Sequence, residues 1–131
     1  MDGGDASVRW NAVCIDCAPE HLEAMVAFYR QLLELEVVDE EPRWAALRDP
    51  AGGMGINVQA DGAYVRPVWP QTGSEQSMMM HFEIAVADVP AAADYATSLG
   101  ASEAPWQPPD RDPSTLRVML DPAGHPFCLW S

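Results

Sequence analysis

Apolar residues recur along the chain at two periods, and the alternation between those periods predicts the elements. Leu22, Met25, Val26, Tyr29, Leu32 and Leu33 fall at helical spacing, which predicts a helix from about Glu20 to Leu33, entered through Ala18-Pro19. Ahead of it, Val8 to Asp16 has the length and apolar content of a strand. Met78 to Val86 reads the same way. After it, Asp88 is placed to cap a helix from about Pro90 to Leu99, with proline near the first turn and Gly100 just past the end.

The two halves also share wording. Asp49-Pro50-Ala51-Gly52 returns letter for letter as Asp121-Pro122-Ala123-Gly124, 72 residues later. The first copy lies between the apolar runs Trp44–Leu47 and Gly55–Gln59, the second between Leu116–Leu120 and Pro126–Trp130. Asp-Pro followed by Gly between strand-like runs predicts a hairpin turn. Each half then reads as strand, helix, and two or three further strands. The expectation is one domain over 1–131, with a first module at about 8–61, a connector at about 62–77 and a second module at about 78–131. Pro67-Val68-Trp69-Pro70 in the connector is too proline-rich for a central strand. Pro105 to Asp110 forms a second irregular stretch.

Charge removes several function classes. Twenty acidic residues against seven basic ones give a net charge of −13, a surface that repels phosphate backbones and argues against nucleic acid as a partner. All seven basic residues are arginine. The lack of lysine excludes Schiff-base chemistry and the phosphate-loop lysine. No apolar run reaches 18 residues and the first residues do not resemble a signal peptide, so the expectation is a cytoplasmic protein with no membrane partner. Cys14 and Cys17 have the C-x-x-C spacing. On a strand, residues three apart point to opposite faces, so the spacing reads as incidental.

Ile15-Asp16-Cys17-Ala18-Pro19-Glu20, Ala27-Phe28-Tyr29, Val68-Trp69-Pro70, His81-Phe82-Glu83 and Asp121-Pro122-Ala123-Gly124-His125-Pro126-Phe127-Cys128-Leu129 occur in that order. Together they resemble the glyoxalase-like domain family of the vicinal oxygen chelate superfamily, the glyoxalase, bleomycin-resistance and dioxygenase group, from about residue 8 to 130. The resemblance implies an α+β fold of paired βαβββ modules whose mixed sheets curl into cups around one cavity, often within a homodimer. In metal-dependent members, the first and last strands of each module supply the ligands. Carried onto this chain, those positions fall near Ala12, on Gln59 or Asn57, on His81 and on Cys128. A divalent metal (Zn, Ni or Mn), if bound, would draw on His81, Cys128 and Gln59, a set that departs from the family pattern at three of four positions.

His81 and Glu83 are two residues apart on the predicted strand, so they share a face with Cα atoms about 6.5–7 Å apart. They are the candidate catalytic pair for proton transfer. Gln59, Asn57 and Cys128 are candidate substrate contacts. Of the five tryptophans, Trp69 and Trp106 lie in irregular segments and are favoured as aromatic ligand contacts, the others as packing. His21 is expected to face solvent and His125 to decorate its turn. The function this implies is a cavity for a small organic molecule, as a lyase- or isomerase-type enzyme acting on a carbonyl or aromatic substrate. The alternative is a non-catalytic, bleomycin-resistance-like binder of a drug or antibiotic. Glyoxalase I chemistry on a glutathione hemithioacetal fits less well, because it uses the full metal set.

Overall fold

The computed structural model describes residues 10–70, 73–74 and 80–131. Strand β1 (Ala12–Cys17) runs through a single 3₁₀ turn (Pro19–His21) into α1 (Leu22–Leu32), followed by β2 (Glu36–Glu41), β3 (Trp44–Arg48) and β4 (Gly55–Ala60). The second half repeats the order with β5 (Phe82–Ala85), α2 (Val89–Ser98), β6 (Ser102–Glu103), β7 (Leu116–Leu120) and β8 (Pro126–Trp130). Each half folds into one four-stranded mixed sheet, ordered β1-β4-β3-β2 and β5-β8-β7-β6. In both, the first and last strands pair in parallel and the rest antiparallel. This is the α+β arrangement of paired βαβββ modules.

Local chemistry explains the boundaries. The Asp88 side chain accepts a hydrogen bond from the Ala91 N–H at 3.0 Å and so caps α2. Gly100, with φ of 117°, takes the chain out of that helix through a conformation that L side chains rarely adopt. Strand β2 has no clear hydrophobic alternation, because Glu36, Asp39, Glu40 and Glu41 crowd an edge that must stay soluble. Strand β5 begins only at Phe82, so Met80 and His81 precede it rather than belonging to it. The start expected for that strand, Met78-Met79, lies outside the described residues, as do Val8 and Arg9 at the expected start of the first. Trp10 and Asn11 are described and precede β1.

Each sheet turns one face to a shared core. Ile15, Cys17, Ile56 and Val58 from the first sheet join Met119, Phe127 and Leu129 from the second, with Met25, Phe28 and Tyr29 of α1 and Val89, Ala93 and Ala96 of α2. Helix α1 reaches across the halves: Phe28 meets Phe127 at 5.8 Å and Tyr29 meets Phe82 edge-on at 5.9 Å between ring centres. The junction also holds Asp121, the one fully buried charged side chain among the described residues. It accepts the Tyr29 hydroxyl at 2.6 Å and the N–H groups of Ala123 and His125, each at 2.9 Å. His125 Nε2 donates to the Asp16 carbonyl at 2.6 Å, and the Tyr64 hydroxyl donates to the Ala123 carbonyl at 2.7 Å. The connector is thus also a structural tie. His21 is half-buried with Nδ1 enclosed and unpartnered among the described residues, rather than pointing into solvent as expected.

Candidate functional site

With one apolar face of each sheet committed to the core, the alternation of the strands decides what the opposite faces carry. On the first sheet, β1 contributes Ala12, Cys14 and Asp16, β4 contributes Gly55, Asn57 and Gln59, and β3 contributes Trp44, Ala46 and Arg48. The pairing sets Cys14 beside Asn57 and Asp16 beside Gln59, which in turn faces Trp44. The Cys14 thiol donates weakly to Gln59 Oε1 at 3.8 Å. Burial, and then the neighbouring Asp16, push that thiol above its ordinary value. Cys17, on the opposite face, is pushed up to about 11 by burial and by the charges of Asp121, Asp16 and Glu20. Both sulfurs therefore stay protonated at neutral pH and on different sides of the sheet.

On the second sheet, Glu83 of β5 stands beside Cys128 of β8, which pairs with Val118 of β7. The Ala104 N–H then bonds to the Val118 carbonyl at 3.0 Å. These residues form a floor in which Ala104, Val118 and Cys128 are buried, flanked by Leu116 and Leu120 of β7, with Trp69 packed against it. Trp106 meets Trp69 edge-on at 6.0 Å. Trp69 Nε1 is enclosed yet has no hydrogen-bond partner among the described residues. Burial, and next the Glu83 charge, raise the Cys128 thiol, while Arg111 pulls it down. A protonated thiol in an apolar floor is a lining group rather than a nucleophile. His81 and Glu83 are both exposed; Glu83 shares the side of Cys128, and His81 stands just ahead of the strand.

The fold therefore gathers Glu83, Cys128, Trp69 and Trp106 on one face, with His81 at its edge, and puts Asn57 and Gln59 on the other. No side-chain hydrogen bond or ring contact joins the two faces among the described residues. Register also identifies the first-half residue equivalent to Cys128. Ala12 precedes Cys14 as His81 precedes Glu83, and Cys14 pairs with Asn57 as Glu83 pairs with Cys128. Asn57 is thus the counterpart of Cys128. The first hairpin has one residue more than the second, taken up at Gly52 and Gly53, both with positive φ.

Two depressions mark the surface of the first half. One of about 900 Å³ opens between α1 and strands β2 and β3, beside Val26, Arg30 and Val37, and none of the predicted site residues lines it. Another, of about 690 Å³, is lined by Asp39, Glu41, Arg43, Trp44, Gln59 and Asp61. Sequence reasoning missed three contributors. Arg48 donates from Nη1 to Asn57 Oδ1 at 3.0 Å. Arg111 is close enough to act on Cys128. Gln107 donates to the Ala104 and Val118 carbonyls and accepts the Val118 N–H, so its amide pins the Trp106 loop to the sheet edge. None has a periodic or motif signal, because each acts through a register that only the folded sheets define.

The residues present do not suit the divalent metal of metal-dependent relatives. Ala12 offers no donor, the Asn57 oxygen is taken by a guanidinium, and a positive charge 3.0 Å from that oxygen repels a second cation. No group of three His, Cys, Asp or Glu side chains among the described residues is placed to hold a metal.

A family model for the glyoxalase-like domain matches residues 12–130, and the chain belongs to that family, within the vicinal oxygen chelate superfamily. Solved structures share the fold at low identity. A glyoxalase family protein from Enterococcus faecalis is 20% identical, with a TM-score of 0.67 over 94% of this chain and 97% of that one. A glyoxalase/bleomycin resistance protein from Albidiferax ferrireducens is 18% identical, with 0.59 over 92% and 96%. The trypanothione-dependent glyoxalase I of Leishmania major is 14% identical, with 0.61 over 95% and 87%. No curated protein matches the chain. No helix among the described residues is long and apolar enough to cross a membrane.

Proposed function

We propose that the protein binds a compact, partly aromatic organic molecule on the side of its second sheet that Trp69 and Trp106 cover, and moves a proton on it without a metal. The observation that carries this reading is Trp69. Its indole N–H is enclosed without an acceptor among the described residues, above an apolar floor with Glu83 at one end of the row. A ligand carbonyl would satisfy that donor, and its ring would pack against Trp69 and Trp106. Glu83, with no ion-pair partner among the described residues, is the base that takes a proton from the carbon beside the carbonyl, and His81 supplies one in return. Cys128 stays a neutral wall. Asn57 and Gln59 would join the site when a second copy brings its first sheet over this face, which is the form the proposed homodimer takes.

Proton transfer leaves a direct trace: in heavy water, the protein should wash deuterium into the α-position of a carbonyl ligand. With α-hydroxyacetophenone followed by NMR, Glu83→Gln is expected to slow exchange by about 100-fold or more and His81→Ala by roughly 10-fold. Exchange no faster than in buffer would refute the catalytic half of the proposal.

One observation favours a second reading, a non-catalytic holder of a cationic antibiotic. Asp39, Glu41 and Asp61 rim the depression that contains Trp44 and Gln59, on a chain of net charge −13. Stoichiometric binding of a cationic aromatic drug that quenches Trp44, with no exchange activity, would select it.

A further inference from the structure

Arg48 sits on the open face of the first sheet under unusual conditions for a cation in so acidic a chain. Its guanidinium donates from Nη1 to the Leu47 carbonyl at 2.8 Å and to Asn57 Oδ1 at 3.0 Å, and from Nη2 to Asn11 Oδ1 at 3.4 Å. All three acceptors are neutral. The single ion pair among the described residues joins Arg117 to Glu103, so Arg48 has no carboxylate partner among them. Glu36 stands opposite it across β2 and β3, but the Arg48 side chain runs the other way, over Gly55. A Cβ at residue 55 would lie 2.7 Å from both Cδ and Nε of Arg48. Only glycine leaves room for the side chain to lie there.

A guanidinium has five N–H donors in a planar fork. Three are used, which leaves Nε–H and one Nη2–H without an acceptor among the described residues. Nε and Nη2 flank one edge of the group, the edge whose two nitrogens match the two oxygens of a carboxylate or phosphate. Amides fix the other edge, so little side-chain entropy is left to lose when an anion arrives. The position matters as well. The guanidinium lies beside residues 12 and 57, which are the counterparts of His81 and Cys128 in the second half. Where that half presents a donor pair, this one presents a fixed positive charge.

We propose that Arg48 is an anion-binding residue that takes a carboxylate or phosphate group of a small-molecule ligand on the open face of the first sheet. Asn57 and Asn11 hold the guanidinium edge, and Gly55 supplies its bed. The proposal goes beyond the reading of the second sheet and shares only Asn57 with it, so anion binding and proton exchange can each fail alone.

The test is calorimetric titration at low ionic strength with inorganic phosphate in one arm and benzoate in the other. The expected result is saturable one-to-one binding of at least one anion. Phosphate alone would mark a phosphorylated ligand, and benzoate alone a carboxylate. Arg48→Gln should weaken that binding by about ten-fold or more. Asn57→Asp sets a carboxylate against the guanidinium, so it should fold at least as stably as wild type by thermal melting and still lose the anion. Gly55→Ala should weaken binding by displacing the side chain. The proposal is overturned if neither anion saturates the wild-type protein, or if Arg48→Gln and Asn57→Asp both bind with unchanged affinity.

Discussion

Tyr29 and Asp121 form the tightest polar contact of the interior, a hydroxyl donating at 2.6 Å to a carboxylate that is almost completely buried. The helical spacing of Tyr29 marked it as core, and the repeated Asp-Pro-Ala-Gly marked Asp121 as a turn residue. Neither pattern shows that they meet, because the contact spans 92 residues of sequence. Removing the hydroxyl in Tyr29→Phe leaves the carboxylate short of a donor, and urea denaturation should show a loss of about 1–3 kcal/mol. Burial holds the Asp121 carboxyl above its ordinary value, against the lowering effects of His125, the Tyr29 hydroxyl and two backbone N–H groups. The folded state therefore binds this proton more tightly than the unfolded chain does. Its contribution to stability is fully present below the unfolded value and is lost as pH rises through the folded one. Compared with Asp121→Asn, the wild type should lose stability as pH rises through that window, and equal slopes for the two proteins would contradict the assignment.

Among the elements, those with strong local signals were legible in advance and those made by pairing were not. The α1 periodicity, the Asp88 cap, the Gly100 exit and the strands on either side of both Asp-Pro turns needed only near neighbours. Strand β2 is an acidic edge with no alternation to read, and β6 is two residues long, so both exist only because a neighbouring strand offers its backbone. The Trp106 loop is held in the same way. Gln107 imitates a strand residue, taking the Val118 N–H at 2.8 Å and giving its own amide to the Val118 carbonyl at 2.8 Å. Gln107→Ala should free the Val118 amide to exchange with solvent faster, by hydrogen-exchange measurement, at a cost of about 1–3 kcal/mol. Unchanged protection at Val118 would show that the amide does not hold the loop.

At the scale of the whole molecule, two halves with the same topology present different faces. One is a polar surface with an amide-held guanidinium, the other an apolar floor under two tryptophans. The repeat made the architecture readable, and alternation put Glu83 on the side of its strand that faces Cys128. What stayed hidden was the chemistry that depends on register: the equivalence of Asn57 with Cys128, the Arg48 bed over Gly55, and the closure of Trp69 over Cys128. The central claim is that the second face is the ligand site. Heteronuclear NMR of the five tryptophan indole N–H signals during titration with α-hydroxyacetophenone tests it most directly. The Trp69 signal should move furthest, toward that of a hydrogen-bonded donor, with Trp106 following and Trp10 unchanged. Saturation that moves only Trp44, or no indole at all, would contradict the account.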